Sequence, residues 1–189
     1  MSRRAISGRV IGVEYHERQV NNHCALHALN NTLGEHRYTA ADMTEADPQH
    51  REGNWADTSV ENVLAQSEDF GCLSFDTSLP HAAFGDTVSN VAFMGFLVWL
   101  NHGHVVALRR RDPGAESTML EWVDSLLVVK DTYDLSHAHR RLLRTDVGTV
   151  LAVYRRGAEL DAVRASRRSE RRQSRPSRKL CRVVDVDEE

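Results

Sequence analysis

CALHALNNTLG (residues 24–34) is the stretch that predicts both the first helix of the chain and the position of a reactive side chain. We expect Asn21 or Asn22 to cap this helix and Gly34 to end it in a left-handed conformation. The apolar residues that recur at helical spacing are Ala25, Leu26, Ala28, Leu29 and Leu33. Cys24 therefore falls in the first turn, where free backbone N–H groups and the helix dipole favour the thiolate over the thiol.

Two further helices are predicted in the first half of the chain. Residues 38–47 show a weaker helical pattern that Pro48 ends. A stronger pattern begins at residue 57 and extends to Gly71, with its apolar residues on one face. The candidate N-caps of that helix are Asp57, Thr58 and Ser59.

The second half of the chain changes to β-type runs. Residues 91–100 and 104–110 are separated by Asn-His-Gly, which predicts a hairpin. A second turn over 111–117 leads into a third strand over 118–127. A helix around 133–143 and a strand over 149–156 complete the domain. Helices followed by an antiparallel sheet indicate a segregated α+β fold.

The helix dipole alone cannot turn Cys24 into a nucleophile. It contributes about 0.3–1 kcal/mol, less than one pKa unit, whereas a neighbouring imidazolium lowers a thiol pKa much further. His104 is the candidate general base, because it begins a strand directly after a turn, where a side chain can project past the sheet. His102, two residues earlier, is the rival candidate.

Asp124 and Gln19 complete the predicted site. If 104–110 pairs with 118–124 as a hairpin, His104 and Asp124 come side by side at its outer end. The carboxylate can then fix the tautomer of the imidazole and stabilise the imidazolium. Gln19 lies five residues before Cys24, so its amide and the Cys24 N–H could bind the same oxyanion.

Each of these residue types also has a structural alternative: the cysteine as a small core residue, the histidine as a solvated side chain, and the aspartate as a turn cap. A metal site built from His23, His102 and His104 lacks a convincing acidic partner set, so neither a metal nor a cofactor is predicted. No Cys-x-x-Cys spacing occurs among the three cysteines, which disfavours a disulfide framework.

Charge divides the chain into two regions. Residues 164–189 carry nine basic and five acidic residues, a net charge of +4, and the remainder carries 15 basic and 22 acidic residues, a net charge of −7. The basic region is rich in Arg and Ser and poor in large apolar residues, so it cannot bury enough surface to offset its ordering entropy. We expect a folded domain over 1–158 and a disordered tail over 159–189.

The sequence also predicts where the protein resides. No apolar run reaches the roughly 18 residues of a transmembrane helix, and the first residues lack the apolar stretch of a signal peptide. We therefore expect an intracellular protein, cytoplasmic or nuclear, that has no membrane partner.

The run EYHERQVNNHCALHALNN (14–31) resembles the opening motif of the Josephin family of deubiquitinating cysteine proteases. In that motif a His-Glu-x-Gln run leads, five residues after the glutamine, into a Cys-Ala-x-His-x-Leu-Asn-Asn helix. The matching residues are His16, Glu17, Gln19, Cys24, Ala25, His27, Leu29, Asn30 and Asn31. Later segments that resemble the family in the same order are GNWADTSVENVL (53–64), NHGHVVALRR (101–110) and WVDSLL (122–127). The resemblance spans about residues 13–156.

The resemblance implies a papain-like fold and a thiol-dependent deubiquitinase that hydrolyses (iso)peptide bonds after the C-terminal glycine of ubiquitin. Ubiquitin or ubiquitin chains would then be the partner. It implies Cys24 as nucleophile, His104 as base, Asp124 as the residue that orients the base, and Gln19 at the oxyanion hole. The chain departs from the family in a shortened lid between the cysteine helix and residue 53, and in Val105, where the family has tryptophan.

Two other functions stay open at this point. The same acyl chemistry could act on a different ubiquitin-like modifier or serve a transferase. The protein could also be a ubiquitin-binding module without turnover. In the tail, RRSERRQSRPSRK (167–179) resembles a nuclear-import or nucleic-acid-contacting segment, with a solvated tail as the alternative. VVDVDEE (183–189) has the composition of strands that add to the edge of ubiquitin-like modifiers.

Overall fold

Five helices and a six-stranded antiparallel sheet make up the computed structural model, which describes residues 15–50, 53–111, 118–127 and 130–157. The helices are α1 (Cys24–Leu33), α2 (Ala40–Ala46), α3 (Asp57–Gln66), α4 (His81–Ser89) and α5 (Leu135–Leu142). The strands are β1 (Phe70–Ser74), β2 (Phe93–Leu100), β3 (Val105–Arg110), β4 (Leu120–Val123), β5 (Asp131–Tyr133) and β6 (Val147–Arg155). The α+β class predicted from the sequence is confirmed.

The sheet has the strand order β1-β6-β2-β3-β4-β5. Its centre includes the hairpin of β2 and β3, which turns through residues 101–103 as predicted. The Leu100 N–H donates to the His104 carbonyl at 2.8 Å, and Gly103 takes a positive φ of 82°. Glycine adopts that conformation without steric cost, so the turn closes tightly and leaves His104 directly before β3.

Helices cover both faces of the sheet. Helix α1 packs across β2 and β3, and α3 packs on β1. The core of this face includes Leu29, Leu97 and Val105. On the opposite face Phe84 of α4 stacks on Phe96 of β2, with ring centroids 5.6 Å apart. Because the central strands are buried on both faces, β2 is apolar along its whole length and β3 is apolar over residues 105–108.

Gly95 sets the spacing between α1 and the sheet. A Cβ atom at this position would lie 2.9 Å from the Thr32 Cγ2 of α1, and 2.9 Å from the Arg109 Cα and the Leu108 carbonyl oxygen. Only a residue without a side chain allows this approach. The helix that begins with Cys24 is therefore held close to the hairpin that carries His104.

The register of β3 and β4 differs from the prediction by two residues. Arg110 pairs with Leu120 and Ala107 with Val123, whereas pairing of 110 with 118 was predicted. The Arg111 N–H donates to the Met119 carbonyl at 3.1 Å, so the strand begins later and the connection between the strands is longer. A shift of two residues keeps every side chain on the same face of the sheet.

Three elements were not predicted: β1, α4 and β5. The helix that begins at residue 57 ends at Gln66 rather than near Gly71, because the chain enters β1 at Phe70. The predicted N-caps are also wrong. His23 rather than Asn21 or Asn22 occupies the N-cap position of α1, Ala56 occupies that of α3, and neither makes a side-chain capping hydrogen bond. The predicted left-handed Gly34 at the end of α1 is confirmed, with φ 74°.

The predicted tail over 159–189 and most of the predicted turn over 111–117 lie outside the described residues. The two hypotheses on 167–179 and 183–189 lie outside them as well. Within the described part of the chain, every helix is too short or too polar to cross a bilayer.

Candidate active site

Cys24 is the first residue of α1, directly after the cap residue His23. Its side chain is half-buried, and its Sγ lies 3.9 Å from the carbonyl oxygen of Gly103. The turn between β2 and β3 thus reaches the start of α1. The N–H groups of a helix N-terminus have no intrahelical partner, and the backbone at Ala25 hydrogen-bonds to the Cys24 sulfur.

His104 and Asp124 form a hydrogen-bonded pair beside this thiol. The His104 Nε2 lies 2.8 Å from the Asp124 Oδ1, and the two side chains are 11% and 14% exposed. A carboxylate only accepts hydrogen bonds, so Nε2 carries the proton of the neutral ring. The side chain of His104 also hydrogen-bonds to Cys24, for which Nδ1 is the remaining ring nitrogen.

This pairing shifts the pKa values of the two groups in the direction that an ion pair requires. Burial raises the pKa of the Cys24 thiol, but hydrogen bonds from His104 and from the backbone at Val105, together with the charge of His104, outweigh it, and the pKa lies below its ordinary value. The hydrogen bond to Cys24 raises the pKa of His104, burial opposes this, and Asp124 raises it further. The site therefore favours a thiolate beside an imidazolium.

The rival histidine occupies a different position. His102 is exposed in the turn, and its ring centroid lies 6.2 Å from that of His104. Hydrogen bonds to both Cys24 and Asp124 belong to His104. The geometry therefore favours His104 over His102 as the partner of the thiol.

Gln19 lies on the segment that approaches α1. Its amide Nε2 donates to the Asn21 carbonyl at 2.8 Å, which leaves the second amide hydrogen for another acceptor. Asn21 has a positive φ of 58° and lies three residues before Cys24. The Gln19 side chain thus binds the backbone three residues before Cys24.

Residues 15–20, which lead into α1, are hydrogen-bonded to that helix. The side chains that bind them belong to the resembling motif, and we predicted no chemistry for them. The Asn31 side chain binds the Glu17 backbone twice: its Oδ1 accepts from the N–H at 2.7 Å and its Nδ2 donates to the carbonyl at 3.0 Å. His27 accepts the Val20 N–H at Nε2 at 3.1 Å, so its proton is on Nδ1, which donates to Glu17 at 2.8 Å. The segment is held on both sides of Gln19.

The same segment is also fastened to the loop after β4. The Gln19 N–H donates to the Ser125 carbonyl at 2.8 Å, and the His16 Nε2 donates to the Asp124 carbonyl at 3.1 Å. His16 and Ser125 both belong to the resembling segments, and we predicted no role for either. Their roles depend on contacts across more than 100 residues, which local patterns do not reveal.

The structure brings Cys24, His104 and Asp124 together in one chain of hydrogen bonds and connects Gln19 to them through the loop at 124–125. Within the described residues, no group of three His, Cys, Asp or Glu side chains is arranged to hold a metal ion. A thiolate with an oriented imidazolium can attack an electrophilic carbon and donate a proton to the group that leaves.

No protein-family model and no curated protein matches the chain.

Proposed function

We propose that this protein is a cysteine hydrolase that cleaves (iso)peptide bonds after the C-terminal glycine of ubiquitin. The observation that carries the proposal is the 2.8 Å bond between His104 and Asp124, with His104 in turn bonded to Cys24 at the start of a helix. This geometry supports the roles of Cys24 as nucleophile, His104 as base and Asp124 as the residue that orients the base.

The chemistry follows from these positions. The Cys24 thiolate attacks the carbonyl carbon of the scissile bond, and the oxyanion that forms accepts hydrogen bonds from the Cys24 N–H and the Gln19 amide. The His104 imidazolium then donates its proton to the leaving amine, which departs and leaves a thioester on Cys24. Neutral His104 next takes a proton from water, and the resulting hydroxide attacks the carbonyl of the thioester. Collapse of this intermediate releases the C-terminal carboxylic acid of the product and the Cys24 thiolate, while the proton stays on His104, so the starting pair is restored. Asp124 keeps the ring in place during both steps.

The choice of ubiquitin rests on the resemblance of residues 14–31 to the Josephin motif and on charge. The chain outside 164–189 carries a net charge of −7, which suits the arginine-rich C-terminal tail of ubiquitin. A papain-like arrangement is part of the proposal, since α1 and the sheet meet at Cys24 and His104. An intracellular location follows from the same substrate.

The test is the reaction of the purified full chain with ubiquitin that carries a C-terminal electrophile. We expect a covalent adduct on the wild type and none on Cys24→Ala. Cys72→Ala is the matched control, because Cys72 lies on β1, away from the N-terminus of α1, and the adduct should persist.

Other outcomes would point to the alternatives. Reversible binding of ubiquitin without an adduct would contradict hydrolysis and favour a binding module. An adduct with the electrophile of another ubiquitin-like modifier, but not with that of ubiquitin, would keep the chemistry and reject the substrate.

A further inference from the structure

The turn between β2 and β3 is fastened to the turn that leads from α5 into β6. The side-chain Nδ2 of Asn101 donates to the Thr145 carbonyl at 2.6 Å, and the Asn101 backbone N–H donates to the Asp146 carbonyl at 2.9 Å. A backbone carbonyl only accepts hydrogen bonds, so the donor end of the Asn101 amide is the one that faces Thr145. Gly148 leaves room for the other end, because a Cβ there would lie 3.1 Å from the Asn101 Oδ1.

The turn that accepts these bonds is itself held by residues at the end of α5. The Asp146 carboxylate accepts hydrogen bonds from the guanidinium groups of Arg141 and Arg144, each at 3.1 Å. The Arg141 guanidinium also lies over the Trp122 ring of β4, 4.3 Å from its centroid. Asn101 is therefore bound to a part of the molecule that is connected both to α5 and to β4.

His104 lies outside the part of β3 that pairs with β4. The first residue of that ladder on β3 is Ala107, three residues after His104. The His104 carbonyl accepts the N–H of Leu100, the residue directly before Asn101. Gly103 of the same turn places its carbonyl oxygen 3.9 Å from the sulfur of the reactive thiol. The position of the imidazole therefore depends on the position of this turn.

We infer that Asn101 is a positioning residue, whose side-chain amide fastens the β2–β3 turn and so holds the His104 imidazole at the Cys24 thiol. The inference rests on the roles proposed for Cys24 and His104, but not on ubiquitin as the substrate. Without the amide the turn keeps its backbone bond to Asp146 and gains freedom on its exposed side. The imidazole then spends less time bonded to the sulfur.

Asn101→Ala removes the amide and leaves the backbone bond in place. The hydrogen bond and charge of His104 lower the pKa of the Cys24 thiol, so a displaced imidazole lets that pKa rise. We expect the pH profile of Cys24 alkylation by iodoacetamide to move to higher pH. The rate at neutral pH should fall about two- to tenfold, the range for the loss of one hydrogen bond. Asn101→Gln keeps the donor on a longer side chain and should recover part of the rate.

Further variants decide whether the effect passes through the turn and the imidazole. Gly148→Ala places a Cβ against the Asn101 amide, so it should shift the profile in the same direction and add nothing once residue 101 is alanine. Asn101→Ala should cause no further shift in a His104→Ala background. Asn62→Ala is the matched control and should keep the wild-type profile, because this exposed asparagine of α3 donates its amide to the Ala46 carbonyl.

The imidazole can also be observed without any reaction at the thiol. Cys24 and Asp124 raise the pKa of His104, so an NMR titration of its ring in the full chain should show that pKa falling toward its ordinary value in Asn101→Ala. An unchanged titration, or an equal shift of the alkylation profile in the His104→Ala background, would overturn the positioning role. Identical alkylation profiles for the wild type and His104→Ala would contradict the proposed function instead, while the titration still decides the role of Asn101.

Discussion

Cys24 and His104 change each other's proton affinity in opposite directions. The imidazole hydrogen-bonds to the sulfur and favours the thiolate, while the thiolate and Asp124 favour the imidazolium. Burial opposes both charged forms. Each partner supplies a counter-charge and a hydrogen bond that offset what burial takes away from water, so both pKa shifts run toward the charged pair.

Removal of His104 should shift the alkylation of Cys24 to higher pH. In the wild type we expect iodoacetamide to react well below the pH at which an ordinary thiol ionises. In His104→Ala burial still raises the pKa of the Cys24 thiol, and the hydrogen bond and charge of His104 that lower it are lost, so the profile should move to higher pH. His102→Ala is the matched control and should keep the wild-type profile, because His102 lies exposed in the turn. A shift with His102→Ala and none with His104→Ala would reverse the assignment.

Local sequence signals were sufficient to place Cys24 at the start of a helix and His104 at the start of a strand. The prediction that His104 and Asp124 meet rested on a register that is wrong by two residues. It still brought the correct side chains together, because an even shift conserves the face and the Asp124 side chain reaches diagonally along the hairpin. Ser125 could not be predicted, since its hydroxyl bonds to a residue 106 positions away.

At the scale of the elements, the strands and helices that the sequence revealed are those buried on a long apolar face. Strands β2 and β3 are buried along almost their entire length, and α1 is buried from Ala25 onward. The unpredicted strands β1 and β5 form the two edges of the sheet and span five and three residues. Edge strands need only a few buried residues, so they leave no clear alternation in the sequence. Helix α4 carries Gly85 in its middle, which weakens its helical signal.

Two glycines in the helical part of the fold should respond to the same substitution with opposite signs. Gly34 ends α1 at φ 74°, so Gly34→Ala should lower the free energy of unfolding by about 1–2 kcal/mol through left-handed strain. Gly85 lies inside α4 with nothing within 4 Å of an added Cβ, so Gly85→Ala should raise it by about 0.5–1 kcal/mol. Urea unfolding of both variants measures the two changes. Loss of stability in Gly85→Ala would contradict a helical conformation at residue 85.

At the scale of the whole molecule, the site depends on the distance between helix α1 and the hairpin of β2 and β3, which pack face to face. Helix α1 supplies the thiol, and the hairpin of β2 and β3 supplies the imidazole. The contact that brings them together lies at Gly95, under Thr32, about two turns along the helix from Cys24. Stability and thiol reactivity should therefore change together when this spacing changes.

Gly95→Ala tests that connection. The added Cβ would lie 2.9 Å from the Arg109 Cα and the Leu108 carbonyl oxygen, and backbone atoms cannot rotate away from it as a flexible side chain can. We expect the free energy of unfolding to fall by about 1–3 kcal/mol, the range for overpacked cores, and the alkylation of Cys24 near neutral pH to slow as α1 moves from His104. Thr32→Ser in the same chain removes the Cγ2 atom, which is also 2.9 Å away, and keeps the hydroxyl that donates to the Ala28 carbonyl.

The double variant should regain part of the alkylation rate, because α1 can return toward the sheet, while the clash with the backbone of β3 continues to lower stability. Urea unfolding and iodoacetamide kinetics on the same preparations separate the two effects. If Gly95→Ala lost stability but alkylated at the wild-type rate, the position of the thiol would not depend on this contact. His104 would then have to move together with α1. The contact that could couple them is the turn at Gly103, whose carbonyl oxygen lies 3.9 Å from the Cys24 sulfur.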